Sequence, residues 1–240
     1  MNDEKYTDRE IKIPTKRTKG KLAKKAENYW YHYKWQTIAA VFVLFVVLVT
    51  TLQTCGTDRE DLTVVYAGPV QLSLEEAEEI KKVLSSMLSE DINGDGKKIS
   101  SLTAYRILSE EQILAARAGG DSINAGNNAE NRRIYDAYLL TGDVSVCFVD
   151  PWLYESLRAA DRLEDISSFE GFSSDGTIGN TGMRLGDTEI YKYYGALKVL
   201  PEDTVICLLR SNFVGKSRNQ DVYKAERNFF AGLLSFRDPS

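Results

Sequence analysis

The sequence predicts a three-layer α/β domain with a mostly parallel sheet, carried behind a single transmembrane helix. Three observations lead there. An uninterrupted apolar run, Ile38 to Leu52 (IAAVFVLFVVLVTTL), lies near the amino end. Beyond it, short and uniformly apolar segments such as Leu62 to Tyr66 (LTVVY) and Thr204 to Leu209 (TVICLL) have the make-up of strands buried on both faces. Between them lie amphipathic segments that open with helix-capping signals, so strand and helix alternate.

The transmembrane helix is placed at 35–55: from Trp35 to Thr54 there are about 20 residues, the number that crosses a hydrocarbon core of roughly 30 Å. No charge interrupts it, and Thr37, Thr50 and Thr51 can return their hydroxyls to the helix's own carbonyls. Residues 1–34 form a basic tail with ten Lys or Arg against five acids, and the remainder carries 20 basic against 30 acidic residues. The basic flank predicts a cytoplasmic amino end, a single-pass cell-membrane protein and an extracellular carboxyl-terminal part. Trp30, Tyr31, Tyr33, Lys34 and Trp35 form an interfacial belt, so the partner of this region is the lipid bilayer. A basic patch interleaved with aromatics also suits single-stranded nucleic acid, but beside a membrane span the prediction is no nucleic acid. Met1 to Lys19, charged and poor in apolar residues, is predicted to be disordered.

A cleavable signal peptide would need a shorter basic start and a small-x-small site, and neither is present. Leu52, Gln53, Thr54 and Cys55 resemble a degraded lipoprotein cleavage box, in which Cys55 would carry lipid; Thr54 departs from the small residue that box requires. Residues 56–61 are a linker, and 62–240 make up one extracellular α/β domain. Cys147 and Cys207 lie in strand-like runs, which leaves two readings, inert core thiols or a disulfide permitted by an oxidising exterior.

The chain has one histidine, His32, on the cytoplasmic side of the span. The outer domain therefore lacks the imidazole that a Ser-His-Asp triad, a Cys-His pair or a histidine zinc site requires. Carboxylate or Ser-Lys chemistry survives without any distinctive spacing, and no phosphate-cradling or dinucleotide glycine loop is present. The sequence predicts no enzyme and no cofactor.

In the outer domain, the first strand breaks at Ala67-Gly68-Pro69. Ser73 with Glu76 makes a capping box, and Leu74, Ala77, Ile80, Leu84, Met87 and Leu88 form the apolar face of a helix, with Glu78 and Lys82 paired on its other side. Ile99 to Ile107 is a second strand, and Ser109 with Gln112 caps the next helix. Gly119 to Asn131, rich in Gly and Asn, is predicted as a mobile loop before a helix from Arg132 to Leu140, halted at Thr141-Gly142. Val144 to Val149 is a third strand, and Asp150-Pro151 supplies a cap and a preset φ for another helix. Asp165 to Asp187 shows no periodicity. Thr204 to Leu209 is a fourth strand, and Val222 to Leu234 a closing helix with Val222, Ala225, Phe229, Phe230 and Leu233 inward.

The order of these elements, with the block Thr141-Gly142-Asp143-Val144-Ser145-Val146-Cys147-Phe148-Val149-Asp150-Pro151 and the turn Leu163-Glu164-Asp165-Ile166, resembles one lobe of the type II extracellular solute-binding proteins. The aromatic belt and single span are also similar to small membrane-anchored outer proteins of Gram-positive bacteria. The resemblance implies a periplasmic-binding-protein-like lobe, though the chain is shorter than a two-lobed member. In open α/β sheets ligands lie outside the carboxyl ends of the strands. Those ends offer Tyr66, Gly68 and Gln71 after the first strand and Asp150 and Trp152 after the third. Each also has a plainer reading: Asp150 as a helix cap, Trp152 as packing, and Tyr191, Tyr193 and Tyr194 as a further aromatic group of the same ambiguity.

Asp91, Asn93, Asp95 and Gly96 reproduce the opening of an EF-hand loop, D-x-N-x-D-G. Lys98 and Leu102 then stand where a hydrophobe and a bidentate acid belong. That leaves a weak calcium site or an ordinary Asx turn, and the turn is favoured. The functional expectation is a membrane-tethered binding domain for a small-molecule solute or an envelope partner. The alternatives are a degenerate lobe docking on another membrane or transporter component, and a carboxylate-based cell-wall hydrolase, for which no paired acids speak.

Overall fold

The computed structural model describes residues 20–55, 59–142, 144–169, 176–211 and 220–238, without the side chains of 21–26 and 51–55. The expectations for Met1 to Lys19, residues 56–58 of the linker, the Cys55 side chain, Asp143 and 170–175 lie outside the described residues. The chain divides into two units, Met1–Thr57 and Asp58–Ser240.

The first unit is helix α1, Lys21–Cys55, in which Glu27–Thr50 is long and apolar enough to cross a membrane. At 1.5 Å per residue its 35 residues measure roughly 50 Å. It starts well before the expected Trp35 because Lys21 to Lys34 holds no Gly or Pro and is rich in Lys and Ala. Tyr29 and Tyr33 stack one turn apart with ring centroids at 5.3 Å. Thr50 Oγ donates back to the carbonyls of Val46 and Val47 at 2.8 and 2.9 Å, as expected in lipid. Thr37 instead donates to the Tyr29 hydroxyl at 3.2 Å.

In the second unit the order is β1 Leu62–Gly68, α2 Leu74–Ser86, β2 Ser100–Arg106, α3 Glu110–Ala118, α4 Ala125–Thr141, β3 Val146–Val149 and α5 Pro151–Ala159. Then come β4 Thr177–Ile178, β5 Gly182–Arg184, α6 Glu189–Tyr193, β6 Val205–Leu208 and α7 Gln220–Ser235, with two short 3-10 turns on either side of α6. The sheet runs β2-β1-β3-β6-β5-β4. Strand β1 pairs in parallel with both β2 and β3, whereas β6, β5 and β4 are antiparallel to their neighbours, so the sheet is mixed.

Both faces are covered. One face, with Leu62, Val64, Tyr66, Phe148 and Ile206, packs against Ile80, Val83 and Leu84 of α2 and Phe229, Phe230 and Leu233 of α7. The other, with Val65, Ala67, Cys147, Val149 and Cys207, packs against Tyr135 and Leu139 of α4 and Leu153, Tyr154 and Leu157 of α5. The period-2 alternation of β1 thus feeds two apolar layers, which is why its sequence is apolar throughout.

Several expectations need correction. Helix α4 begins at Ala125, inside the expected loop, because Asn124 caps it by accepting from Asn127 N. Leu74 is 82% exposed, since it stands at the first position of α2, and Val83 takes the inward place instead. Glu78 is held by Lys81 at 3.7 Å, one residue before the expected partner. In α7, Tyr223 is buried and Val222 is not. The region expected to lack periodicity contains β4 and β5. Gly182 is needed there: a Cβ on it would lie 2.6 Å from the Tyr154 ring and 2.8 Å from Val205.

Candidate binding site at the strand carboxyl ends

The chain leaves β1 through α2 on one face to reach β2, then returns through α4 on the other face to reach β3. The direction reverses between β1 and β3, which marks the crevice where open α/β sheets hold ligands. That crevice is already occupied by protein groups. Asp150, 7% exposed, accepts from Trp152 N at 3.1 Å as the cap of α5 and from Gln112 Nε2 at 2.8 Å. Gln112 is fixed in turn by the α3 capping box, its Oε1 accepting from Ser109 N at 2.8 Å. Burial pushes the Asp150 carboxyl above its usual range against these two bonds, and the charge of Asp203 adds to the push.

Tyr66 is fully buried and its hydroxyl accepts from Val70 N at 3.2 Å. Burial, aided by Asp150 and Asp203, pushes that phenol up to about 12. Gly68 leaves room for it, since a Cβ there would come within 2.7 Å of the hydroxyl. Trp152 packs under Arg132, whose guanidinium carbon lies 5.0 Å from the ring centroid. Tyr191 is buried and donates to Leu200 O at 3.0 Å, while Tyr193 and Tyr194 meet edge to face beside Phe236.

The open space is next door, at the carboxyl end of β2. A cavity of about 240 Å³ is lined by Gln71, Arg106, Leu108, Ser122, Ile123, Asn124, Asn127, Asn128 and Asn131. Of the five expected ligand residues only Gln71 lines it; Tyr66, Gly68, Asp150 and Trp152 do not. Its walls are rigidly placed. Asn128 clasps Leu108, accepting from its N–H at 2.8 Å and donating to its carbonyl at 3.0 Å. One turn on, Asn131 donates to Arg106 O at 2.9 Å. Arg106, half-buried, donates from Nε to Pro69 O at 3.1 Å, which bridges the ends of β2 and β1. Its two terminal nitrogens make no hydrogen bond among the described residues.

A groove of about 260 Å³ between α4 and α5 offers less, because its Arg132 is neutralised by Asp136 at 2.9 Å. The arrangement at β2 is that of a binding pocket: one cation with free donors, carboxamides of both hydrogen-bonding senses, and an apolar flank from Leu108 and Ile123.

Arg106 and the four asparagines were not singled out from the sequence. The signal for Arg106 was a lone charge closing a strand-like run. For the asparagines it was the spacing 128, 131, 135, 139, which puts two of them on the same helix face as Tyr135 and Leu139.

The possible calcium loop is a nest of Asx turns. Asp91 accepts from Gly94 N and Gly96 N at 2.7 Å each, Asn93 from Asp95 N and Asp95 from Lys97 N, both at 2.9 Å. The Gly96 N–H, foremost, holds the Asp91 carboxyl below its usual range. Asp61, expected only as part of the charged linker, pins the loop from the start of the sheet: it accepts from Ile92 N and Asn93 N at 2.8 and 2.9 Å and from Ile99 N at 2.8 Å. Among the described residues no three His, Cys, Asp or Glu side chains are grouped to hold a metal.

The chain matches no protein-family model, no curated protein and no solved structure. None of these comparisons adds to the sequence resemblance to solute-binding proteins.

Proposed function

We propose that this chain is a membrane-tethered, extracytoplasmic binding domain related to the solute-binding proteins, anchored by α1 with its basic end in the cytoplasm, and that the cavity at the end of β2 receives a small polar solute. The observation that carries the proposal is the Arg106 fork, anchored by one bond to Pro69 and otherwise unpaired among the described residues, in a cavity at the carboxyl end of β2, beside the filled crevice between β1 and β3. The test is thermal unfolding of the full chain in detergent against sugars, amino acids, organic acids and peptides. A ligand at 100 times its Kd adds about 2.7 kcal/mol, which raises the melting temperature of a unit this size by roughly 5–10 °C. Protease digestion of intact cells tests the orientation: loss of the carboxyl-terminal unit with the amino end protected is expected.

The second reading is docking on an envelope or transporter protein. It draws on the filled crevice between β1 and β3 and on the outward leucines Leu74 and Leu114, 82% and 65% exposed. A flat unfolding profile across the whole panel, from a cooperatively folded chain, would favour it.

A further inference from the structure

We infer that the β2 cavity selects a small monocarboxylate with a neutral polar tail, such as an acylamino or hydroxy acid; this rests on the solute-binding reading and names its ligand class. The first ground is charge. Arg106 is the one cation among the lining residues, and no acid lines the cavity. A singly charged anion balances it, a dianion is left half neutralised, and a ligand ammonium finds no carboxylate there.

The second ground is geometry. A guanidinium tethered through Nε keeps its terminal nitrogens in a fixed plane, and that planar fork matches the two oxygens of a carboxylate. A tetrahedral anion would look to helix N–H groups, and at the start of α4 two of these are already engaged: Asn127 N donates to Asn124 Oδ1 at 3.1 Å and Asn128 N to Asn124 O at 3.1 Å. The third ground is the rest of the wall. The side chains of Gln71 and Asn127 make no hydrogen bond among the described residues, so each offers a donor and an acceptor to a neutral amide or hydroxyl. The space holds roughly eight waters' worth of volume, which corresponds to a ligand of about ten non-hydrogen atoms.

The test uses the full chain in detergent, titrated calorimetrically with N-acetylglycine, with its amide N-acetylglycinamide, and with inorganic phosphate. The expected result is saturable binding of N-acetylglycine, at least about tenfold weaker binding of the amide, and weaker binding of phosphate. Arg106→Gln should weaken the acid by about 10- to 100-fold, with Arg106→Lys intermediate. Asn127→Asp, which leaves Arg106 and its Pro69 bond alone, should weaken the acid by a larger factor than it weakens the amide. Equal binding of acid and amide, or stronger binding of phosphate, would overturn the inference while leaving a working solute site. No binding of N-acetylglycine up to about 10 mM would also overturn it, and the wider unfolding panel would then show whether the solute-binding reading falls with it.

Discussion

Replacing Asn128 tests the wall of the cavity and the register of α4 together. Its carboxamide satisfies both backbone groups of Leu108, a residue only 7% exposed, at 2.8 and 3.0 Å. Asn128→Ala removes two neutral hydrogen bonds, each worth about 1 kcal/mol net, and strands a largely buried N–H and C=O. The expected loss is about 2–3 kcal/mol, seen as a lower urea midpoint with an unchanged slope. Asn128→Asp is more discriminating. One carboxylate oxygen still accepts from Leu108 N, but the other faces the Leu108 carbonyl and repels it. That contact raises the folded-state pKa of the new carboxyl above its unfolded value of about 3.9, because the protonated form alone can donate. A raised folded pKa contributes stability that is full below the unfolded pKa and is lost as pH rises through the folded pKa. Asn128→Asp should therefore approach the wild type near pH 4 and fall to the Ala variant or below by pH 7.5, followed by urea titration at each pH. An Asp variant equal to wild type at pH 7.5, or a gap between Asp and Ala that does not change with pH, would refute the clasp.

Asp61→Ala should cost about 3 kcal/mol, since three backbone N–H groups lose a charged acceptor; a shift in urea midpoint worth less than about 1 kcal/mol would count against its role as the loop's pin. Gly182→Ala should cost about 1–3 kcal/mol by forcing a Cβ into Tyr154 and Val205, read as a lower melting temperature. Cys147 and Cys207 face each other in register as fully buried thiols, and burial pushes the Cys207 thiol well up. Both should resist iodoacetamide in the native state and react after denaturation without reductant; failure to react then would reveal a disulfide. Millimolar calcium should leave the melting temperature unchanged, because the loop oxygens already serve backbone donors, and a rise of several degrees would restore a metal site.

What the sequence disclosed and what it withheld follow the range of the interactions. The capping boxes at Ser73/Glu76 and Ser109/Gln112 and the Asp150-Pro151 start were legible because each joins residues two or three apart. The start of α4 was not. Its cap, Asn124 accepting from Asn127 N, is just as local but lies in a Gly- and Asn-rich stretch, and Asn128 and Asn131, which bind backbone 20 and 25 residues away, add no apolar residue that would mark a helix there. Buried strands were found as apolar runs, but a run has no direction, so the antiparallel seating of β6 against β3 was invisible. Strands β4 and β5, of two and three residues, are too short to show a period. Arg106 is illegible as a cavity residue because a lone charge closing a strand-like run reads the same whether it meets solvent or, as here, lines a cavity against α4.

The place of β1 in the sheet has a consequence for how the chain is made. It is the first strand synthesised after α1, yet both of its neighbours come later, β2 beginning at Ser100 and β3 ending at Val149. During synthesis the segment LTVVYAG, apolar on both faces, therefore waits some 40 further residues for the partner of one hydrogen-bonding edge and some 80 for the partner of the other. At ordinary elongation rates of about 5–20 residues per second the longer interval lasts roughly 4–16 s. A nascent chain with an unpaired apolar strand is a substrate for holding chaperones and an aggregation hazard until β3 arrives.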